Sequence, residues 1–515
     1  MASPPPAAMR YHFRSKVVVG GVFRGVDFEF DGLESGFAAF AVGLCGDTGV
    51  LLPGGVLGGE GPGESSGKKV FRFAQTGSFP TRKGRSLRFI ARPICSRSAG
   101  SSCLMFSFIH AADLHLDSPL RGLSRYEGAP VEKIRGATRR ALENLVTLAL
   151  EKEVDFLLIA GDLYDGDQKD YDTALFFNRQ MQRLLARRIP VFTIRGNHDA
   201  GSVITKTLTS PENVQTFPLK RAATILHATL PLAIHGQGFA NASVQENLAA
   251  EYPVAQPDRF NIGLLHTSLA GSTEHDTYAP CSLADLNQKA YQYWALGHIH
   301  QPAVIQESPW IVYSGNTQGR KINEPGPRGC YLVEVNDSLE VISHSFEPLD
   351  VVRWVHLEID LAEVVSPDDL RAKIAARFSA ALQEVGERLL AMRLTLTGAT
   401  ELHGVLHSQM SQWQAECLSL AGEIDPGQLW MERLKLRTTP TYDPAELASR
   451  DDLTALVLRA LDDFDPLERP AAVSVLEGKL PAAALEALES ERKNDSLREK
   501  VSAIVLHSIA TSHIE

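Results

Sequence analysis

From residue 106 onward, short apolar runs alternate with amphipathic stretches. Phe106–Ala111 is a β-like run. Residues 131–152 follow with Ile134, Leu142, Leu145, Val146 and Ala149 at helical spacing and Pro130 just ahead, which predicts an amphipathic helix. Phe156-Leu-Leu-Ile159 reads as a buried strand, residues 173–187 as a helix, and Ile189-Pro-Val-Phe-Thr-Ile194 as a further buried strand. This βαβαβ order argues for a mostly parallel core. Later runs at Phe260–Leu265, Tyr291–Leu296, Trp310–Tyr313 and Gly329–Val335 lack clear helices between them. The predicted class is therefore α/β in the broad α+β sense, a mixed two-sheet sandwich with helices outside.

The texture changes after Pro348. Val355, Leu357, Ile359 and Leu361 alternate with His356, Glu358 and Asp360, as in a half-buried strand. Ser366-Pro-Asp-Asp369 is a helix start, followed by Leu370, Ile374, Phe378 and Leu382 at every fourth residue. A strand around Met392–Leu396, a helix over 402–421 and a strand over 429–436 complete a small α/β module. Asp443-Pro444 opens a helical tail. The expected division is 1–104, 105–348, 349–440 and 441–515.

Residues 1–104 do not share this order. They hold 18 of the 40 glycines, and their periodicity is poor. They read as a disordered extension, or as sequence upstream of a true initiator at Met105. No apolar stretch follows the first basic residues as a secretory signal requires, and none in the chain has the length of a membrane helix. The net charge of −11 is uneven: residues 1–104 carry 13 Lys/Arg against 7 Asp/Glu, and the remainder 38 against 55. Bulk charge therefore excludes a generic nucleic-acid binder, and any such partner needs a local basic groove or bound cations. The six cysteines form no Cys-x-x-Cys pair. That argues against a disulfide framework or zinc finger and for a reducing, cytoplasmic setting.

Chemistry concentrates where the strands end. Ala-Gly161-Asp162-Leu-Tyr-Asp165 closes one strand, and four similar stops join it: Asp113-Leu-His115, Gly196-Asn197-His198-Asp199, Leu265-His266-Thr267 and Gly297-His298-Ile-His300. In Asp113-x-His115 and His298-x-His300 the side chains, two apart, would point the same way on an extended backbone. Asp113, His115, Asp162, Asn197, His266, His298 and His300 make seven donors, too many for one tetrahedral zinc. They suit two metals that share a carboxylate. Nitrogen and oxygen donors without thiolate favour manganese or iron, with zinc as an alternative. Two such cations can turn a bridging water into hydroxide and steady both oxygens of an in-line displacement at phosphorus. Arg195, Arg320 and Lys321 are candidate phosphate contacts. Arg139-Arg140 and Arg187-Arg188 read better as solvated helix faces.

The order Asp-x-His, Gly-Asp-x-x-Asp, Gly-Asn-His-Asp, His, Gly-His-x-His is similar to the calcineurin-like metallophosphoesterase superfamily. Residues 108–120, Tyr278-Ala-Pro-Cys281, 293–301 and Ser314-Gly-Asn-Thr-Gln-Gly-Arg320 resemble bacterial DNA-repair exonucleases of the SbcD and YhaO type, the YhaO branch in particular. The resemblance covers roughly 105–437. It implies one metal on Asp113, His115, Asp162 and His300, and a second on Asp162, Asn197, His266 and His298. It also implies His198 as general acid, with Asp199 orienting it. Further, it implies DNA as substrate, a coiled-coil ATPase partner of the SbcC/YhaN type, and room for a homodimer. The chain departs from the nuclease relatives at Asp165, where they carry a histidine. Two alternatives keep this frame: an esterase of small phosphodiesters or phosphoproteins, and a weakened scaffold for the ATPase.

Overall fold

The computed structural model describes residues 10–19, 22–31, 78–80, 86–88, 104–118, 120, 128–165, 171–201, 210–269, 278–443, 446–447, 449–462, 501 and 503–506. Two compact units arise, residues 1–96 and 97–515. In the first, β1 (Arg10–Val19) pairs antiparallel with β2 (Val22–Asp31), and β3 (Ser78–Pro80) with β4 (Ser86–Arg88). The other residues of this unit lie outside the described ones.

In the second unit, β5 (Leu104–Ala111), β6 (Phe156–Ile159), β7 (Val191–Thr193) and β8 (Val214–Thr216) run parallel. A second sheet is built on β9 (Ala223–Leu226), β10 (Leu232–Gly236), β11 (Phe260–His266), β12 (Tyr293–Gly297), β13 (Ala303–Glu307) and β14 (Trp310–Tyr313). The chain then returns to the first sheet with β15 (Gly329–Asn336) and β16 (Val341–Pro348). The two six-stranded sheets have orders β16-β15-β5-β6-β7-β8 and β13-β14-β12-β11-β10-β9. The second sheet has a parallel centre with antiparallel pairs at both edges, whereas the first is antiparallel through β16-β15-β5 and parallel from β5 to β8. The expected two-sheet sandwich is the observed one.

Phe106, Phe108, Phe156 and Phe192 of one sheet meet Phe260, Ile262 and Tyr293 of the other in a closed aromatic core. Phe108 stacks on Phe156 with centroids 5.0 Å apart and meets Tyr293 edge-on at 5.2 Å. Outside the first sheet, helices Ala137–Glu151 and Tyr171–Leu185 cover Leu157, Ile159 and Val191. The single helix expected over 131–152 is two, Val131–Arg135 and Ala137–Glu151, separated by Gly136. Glycine lacks the side chain that favours an uninterrupted helix.

The module after residue 348 is a parallel sheet of β17 (Val352–Asp360), β18 (Leu389–Ala399) and β19 (Leu429–Thr439). Ser366 caps helix Pro367–Val385 through its side chain, with Pro367 in the first turn. The helix expected over 402–421 is broken into His403–Ser408 and Met410–Ile424. One face of the sheet meets these helices. On the other face, Val352, Trp354, Leu389, Ala391 and Trp430 pack on Ile134, Ala137 and Ile322, which seats the module on the sandwich. Most of the tail after Asp462 lies outside the described residues. Among those described, no helix is long and apolar enough to cross a membrane.

Candidate metal centre

All five strand-end motifs meet at one rim of the sandwich. Beyond β5 and β6 the chain keeps pairing: Asp113 N donates to Gly161 O at 3.0 Å and His115 N to Asp162 O at 3.0 Å. The second sheet is tied in by His298 N, which donates to both oxygens of Asp113 at 3.1 and 3.0 Å. His198 N donates to Asp162 Oδ1 at 2.9 Å. Glycines make this approach possible. Gly161 has φ +94°, and a Cβ there would stand 2.6 Å from His266 Nδ1; a Cβ at Gly297 would press into the Ala160 carbonyl.

The backbone explains the convergence differently from the expectation. Asp113, His115, Asp162 and His298 have φ of 51°, 42°, 52° and 97°. These are left-handed turns, not strand, so the two-residue spacing works through turn geometry rather than through β alternation. Non-glycine residues adopt this region at a cost and cluster there at functional sites.

Donor atoms gather in three groups whose members lie within 4.8 Å of one another: Asp113, His115 and His300; Asp113, Asp162 and His266; and His115, Asp162 and His198. Asp162 and Asp113 each serve two groups. Asn197 Oδ1 lies 2.9 Å from His266 Nε2, and Asp162 Oδ2 lies 3.4 Å from the same nitrogen. His298 stands beside this assembly, its ring centroid 5.3 Å from His266 and 5.4 Å from Tyr278. It is not a member of the three groups.

Hydrogen bonds fix which nitrogen of each imidazole faces inward. His115 Nδ1 is 2.7 Å from Asp165 Oδ1, and His300 Nδ1 is 2.9 Å from Glu324 Oε1. A carboxylate only accepts, so each Nδ1 carries the hydrogen and, in the neutral ring, each Nε2 a lone pair. Those two Nε2 atoms face each other at 3.2 Å. His266 Nδ1 donates to Ala160 O at 2.9 Å, which turns its Nε2 towards Asn197 Oδ1 and Asp162 Oδ2. Converging lone pairs beside buried carboxylates repel unless a cation lies among them, so this donor set fits a divalent metal.

The electrostatics agree. Burial, then the Arg320 charge, pulls His115 down to about 4. Burial pushes Asp113 above the usual carboxylate range. Burial also opposes charge on His266, but the Asp162 charge and hydrogen bond, then Asp113, outweigh it and raise His266 to about 9. The two buried aspartates thus favour positive charge at this point, the office a bound cation would take over.

The Asp199 carboxylate accepts from the backbone N–H of Leu163, Tyr164 and Gly196 at 3.0–3.1 Å, bracing the turns. Burial, then the nearby Asp162, raises it to about 6. Asp165 meets His198, Oδ1 to Nδ1 at 3.2 Å, and this bond raises the His198 pKa against the effect of burial. The residue that marks the departure from the nuclease relatives thus links His115 and His198.

Arg320 reaches the site, its Nη1 3.6 Å from Asp165 Oδ2 and 3.3 Å from Ser118 Oγ, and its Nη2 3.4 Å from Glu324 Oε1. Lys321 is exposed. Arg195 lines a separate cavity with Tyr164, Asn178, Asp199 and Thr216. Glu324 was not read from the sequence; the available signal was an acid four residues past Arg320 in a Gly/Pro-rich loop.

Fold and site define a phosphoesterase of the metal-dependent class. Residues 106–302 match the calcineurin-like phosphoesterase family, and residues 354–439 match the middle domain of metallophosphoesterase YhaO. The chain is 36% identical over 296 residues to the uncharacterized metallophosphoesterase YhaO of Bacillus subtilis (strain 168), covering 57% of this chain and 72% of that protein. It belongs to the calcineurin-like metallophosphoesterases of the YhaO type. Among solved structures it is similar to TT1561 of Thermus thermophilus (13% identity, TM-score 0.28, covering 47% of this chain and 98% of that one). A dimetal phosphatase of Danio rerio gives 11% identity and a TM-score of 0.30, over 48% of this chain and 100% of that one. Likeness at this level bears no weight on the site.

Proposed function

We propose that this chain is a metal-dependent phosphodiesterase acting on DNA, an exonuclease subunit of repair. The observation that carries the hydrolytic part is the pair of imidazole nitrogens, His115 Nε2 and His300 Nε2, facing each other at 3.2 Å beside buried Asp113 and Asp162. Asp113, His115, Asp162 and His300 would hold one ion, and Asp162, Asn197, His266 and His298 a second, most naturally manganese. Two bound cations would supply Lewis acidity at the phosphoryl group and a nucleophile at neutral pH. His198, with its side chain 43% exposed and its Nδ1 on Asp165, is placed to hand a proton to the departing oxygen. Arg320 presents its guanidinium at the same rim to hold a phosphate oxygen.

Support for a nucleic-acid substrate comes from the module on β17–β19. Leu434 joins the core under the helices, so the alternate positions Arg433, Lys435 and Arg437 of edge strand β19 lie on the opposite face. Arg433 and Arg437 are exposed and Lys435 is half-buried. They repeat about every 6.6 Å along the strand. Such a row offers an acidic protein the local basic track that a phosphate backbone requires.

The test is digestion of end-labelled single- and double-stranded DNA with manganese, by wild type and His198→Ala. Expected is stepwise shortening from an end, lost with chelator and slowed about 100-fold or more in His198→Ala. Hydrolysis of a small nucleotide diester with no cleavage of either DNA would reject the DNA reading. Alanine at Arg433, Lys435 and Arg437 together should lower the salt slope of DNA affinity by about three.

A further inference from the structure

We infer that Glu324 is a positioning residue of this centre: it fixes the tautomer of His300 and holds it ready for metal, from a strap anchored in the β17–β19 module. This rests on the metal reading of the site given above and assigns a role to a residue outside the seven donors. The Glu324 side chain is only 6% exposed. Its Oε1 accepts from His300 Nδ1 at 2.9 Å and faces Arg320 Nη2 at 3.4 Å. Its Oε2 accepts from Asn316 Nδ2 at 3.0 Å and from Arg320 N at 2.8 Å. One carboxylate thus meets four donors, about its full capacity. Because it cannot donate, it allows His300 only the form with hydrogen on Nδ1, which directs the Nε2 lone pair at the site.

The segment bearing Glu324, residues 316–328, is tied at both ends. On the module side, Gln318 Oε1 accepts from Val351 N at 2.8 Å and Val352 N at 3.2 Å, and its Nε2 donates to Val352 O at 2.7 Å. Trp354 Nε1 donates to Gly319 O at 2.9 Å, and Gly326 N donates to Trp354 O at 2.9 Å. Towards the site, Asn316 N donates to His300 O at 3.1 Å, and Arg328 Nη1 donates to the same carbonyl. His300 is thereby held by backbone and ring from one strap. Arg320 spans the two carboxylates that set the tautomers, Glu324 for His300 and Asp165 for His115. A plainer role for Glu324, merely filling the needs of Asn316 and Arg320, would leave the His300 tautomer indifferent to its loss.

Glu324→Gln separates the two. An amide has one oxygen: turned to His300, it sets its NH2 against Asn316 Nδ2 and Arg320 N; turned the other way, it donates to His300 Nδ1. The ring then gains the tautomer with hydrogen on Nε2. The first readout is the ring 15N spectrum of His300 in the full, metal-free chain, assigned by a His300→Gln spectrum. The second is manganese titration followed by the EPR signal of free ion. Expected is a wild-type ring with hydrogen on Nδ1, an Nε2–H population in Glu324→Gln, and about 10–100-fold weaker binding of one ion with the other retained. An unchanged tautomer with both ions bound at wild-type affinity would overturn the inference. Should Glu324→Gln not fold, Glu324→Asp keeps the charge but withdraws it by one methylene; weakened binding of one ion supports the role and wild-type binding overturns it. Wild type binding no manganese would instead reject the metal reading, while the ring spectrum still decides the role of Glu324.

Discussion

Asp165→Asn is the substitution that presses hardest on the chemistry of the site. The shape is kept and one charge is lost. In the native chain Asp165 Oδ1 lies 2.7 Å from His115 Nδ1 and 3.2 Å from His198 Nδ1, and the side chain is only 9% exposed. Hydrogen bonds to a buried charge are worth roughly 1.5–3 kcal/mol against about 0.5–1.5 for neutral pairs. Neutralising an acceptor of two such bonds therefore forfeits about 2–3 kcal/mol of orientation, or roughly 30–150-fold in rate. The pH profile moves as well. The bond to Asp165 raises the His198 pKa, so the proton this residue donates is held to higher pH in wild type. Without the charge that pKa falls, and the alkaline decline in rate begins at lower pH. The assay is hydrolysis of a chromogenic phosphodiester at saturating manganese across a range of about pH 5.5–9.5, with metal content measured in parallel. A variant within about threefold of wild type, with the same alkaline limb, would refute the linkage of His115 and His198 through Asp165.

Two further outcomes follow from the same geometry. His110 is fully buried, its Nδ1 3.2 Å from the Tyr293 hydroxyl and its Nε2 3.2 Å from Leu296 O; burial, then the nearby His344, holds its pKa down to about 3. Its unfolded value is 6.5, so below that pH the unfolded chain takes a proton the native chain refuses. Stability is unaffected above pH 6.5 and falls by about 1.4 kcal/mol per unit beneath it, about 2 kcal/mol by pH 5. Urea midpoints from pH 7 to 5 should flatten in His110→Gln, and an unchanged slope would exclude this origin. Gly297→Ala drives a methyl group into the Ala160 carbonyl and towards His266 Nδ1, at 2.9 Å. It should cost about 1–3 kcal/mol in thermal unfolding and weaken metal binding; a variant with wild-type melting and affinity would show that the two sheets can part there freely.

The sequence carried the fold class in the change of period between helices and strands, and most of the site in motifs that stop strands. The glycines before Asp162, Asn197 and His298 find their reason only in the structure, where a Cβ would press on His266, Asp162 and Ala160 respectively. What stayed hidden depends on contacts made across long separations. Asp165 and Asp199 stand in equivalent local contexts, an acid after a turn, and only packing assigns one to imidazoles and the other to backbone N–H groups. Glu324 sits 24 residues beyond His300 in a loop without periodicity. Left-handed φ at Asp113 and His115 could not be anticipated, since aspartate and histidine also populate ordinary strand ends. Arg195, two residues before the donor Asn197, lines another cavity with Tyr164 and Asp199.

The central claim is that buried Asp113 and Asp162, with imidazoles and an amide from both sheets, form one seat for two cations. Equilibrium dialysis of the purified chain against manganese, with metal counted by mass spectrometry and coupling read by EPR, addresses it directly. The account predicts two ions per chain with a spin-coupled signal, and loss of that coupling in Asp162→Asn. One ion or none per wild-type chain, or two uncoupled ions that persist in Asp162→Asn, would contradict it.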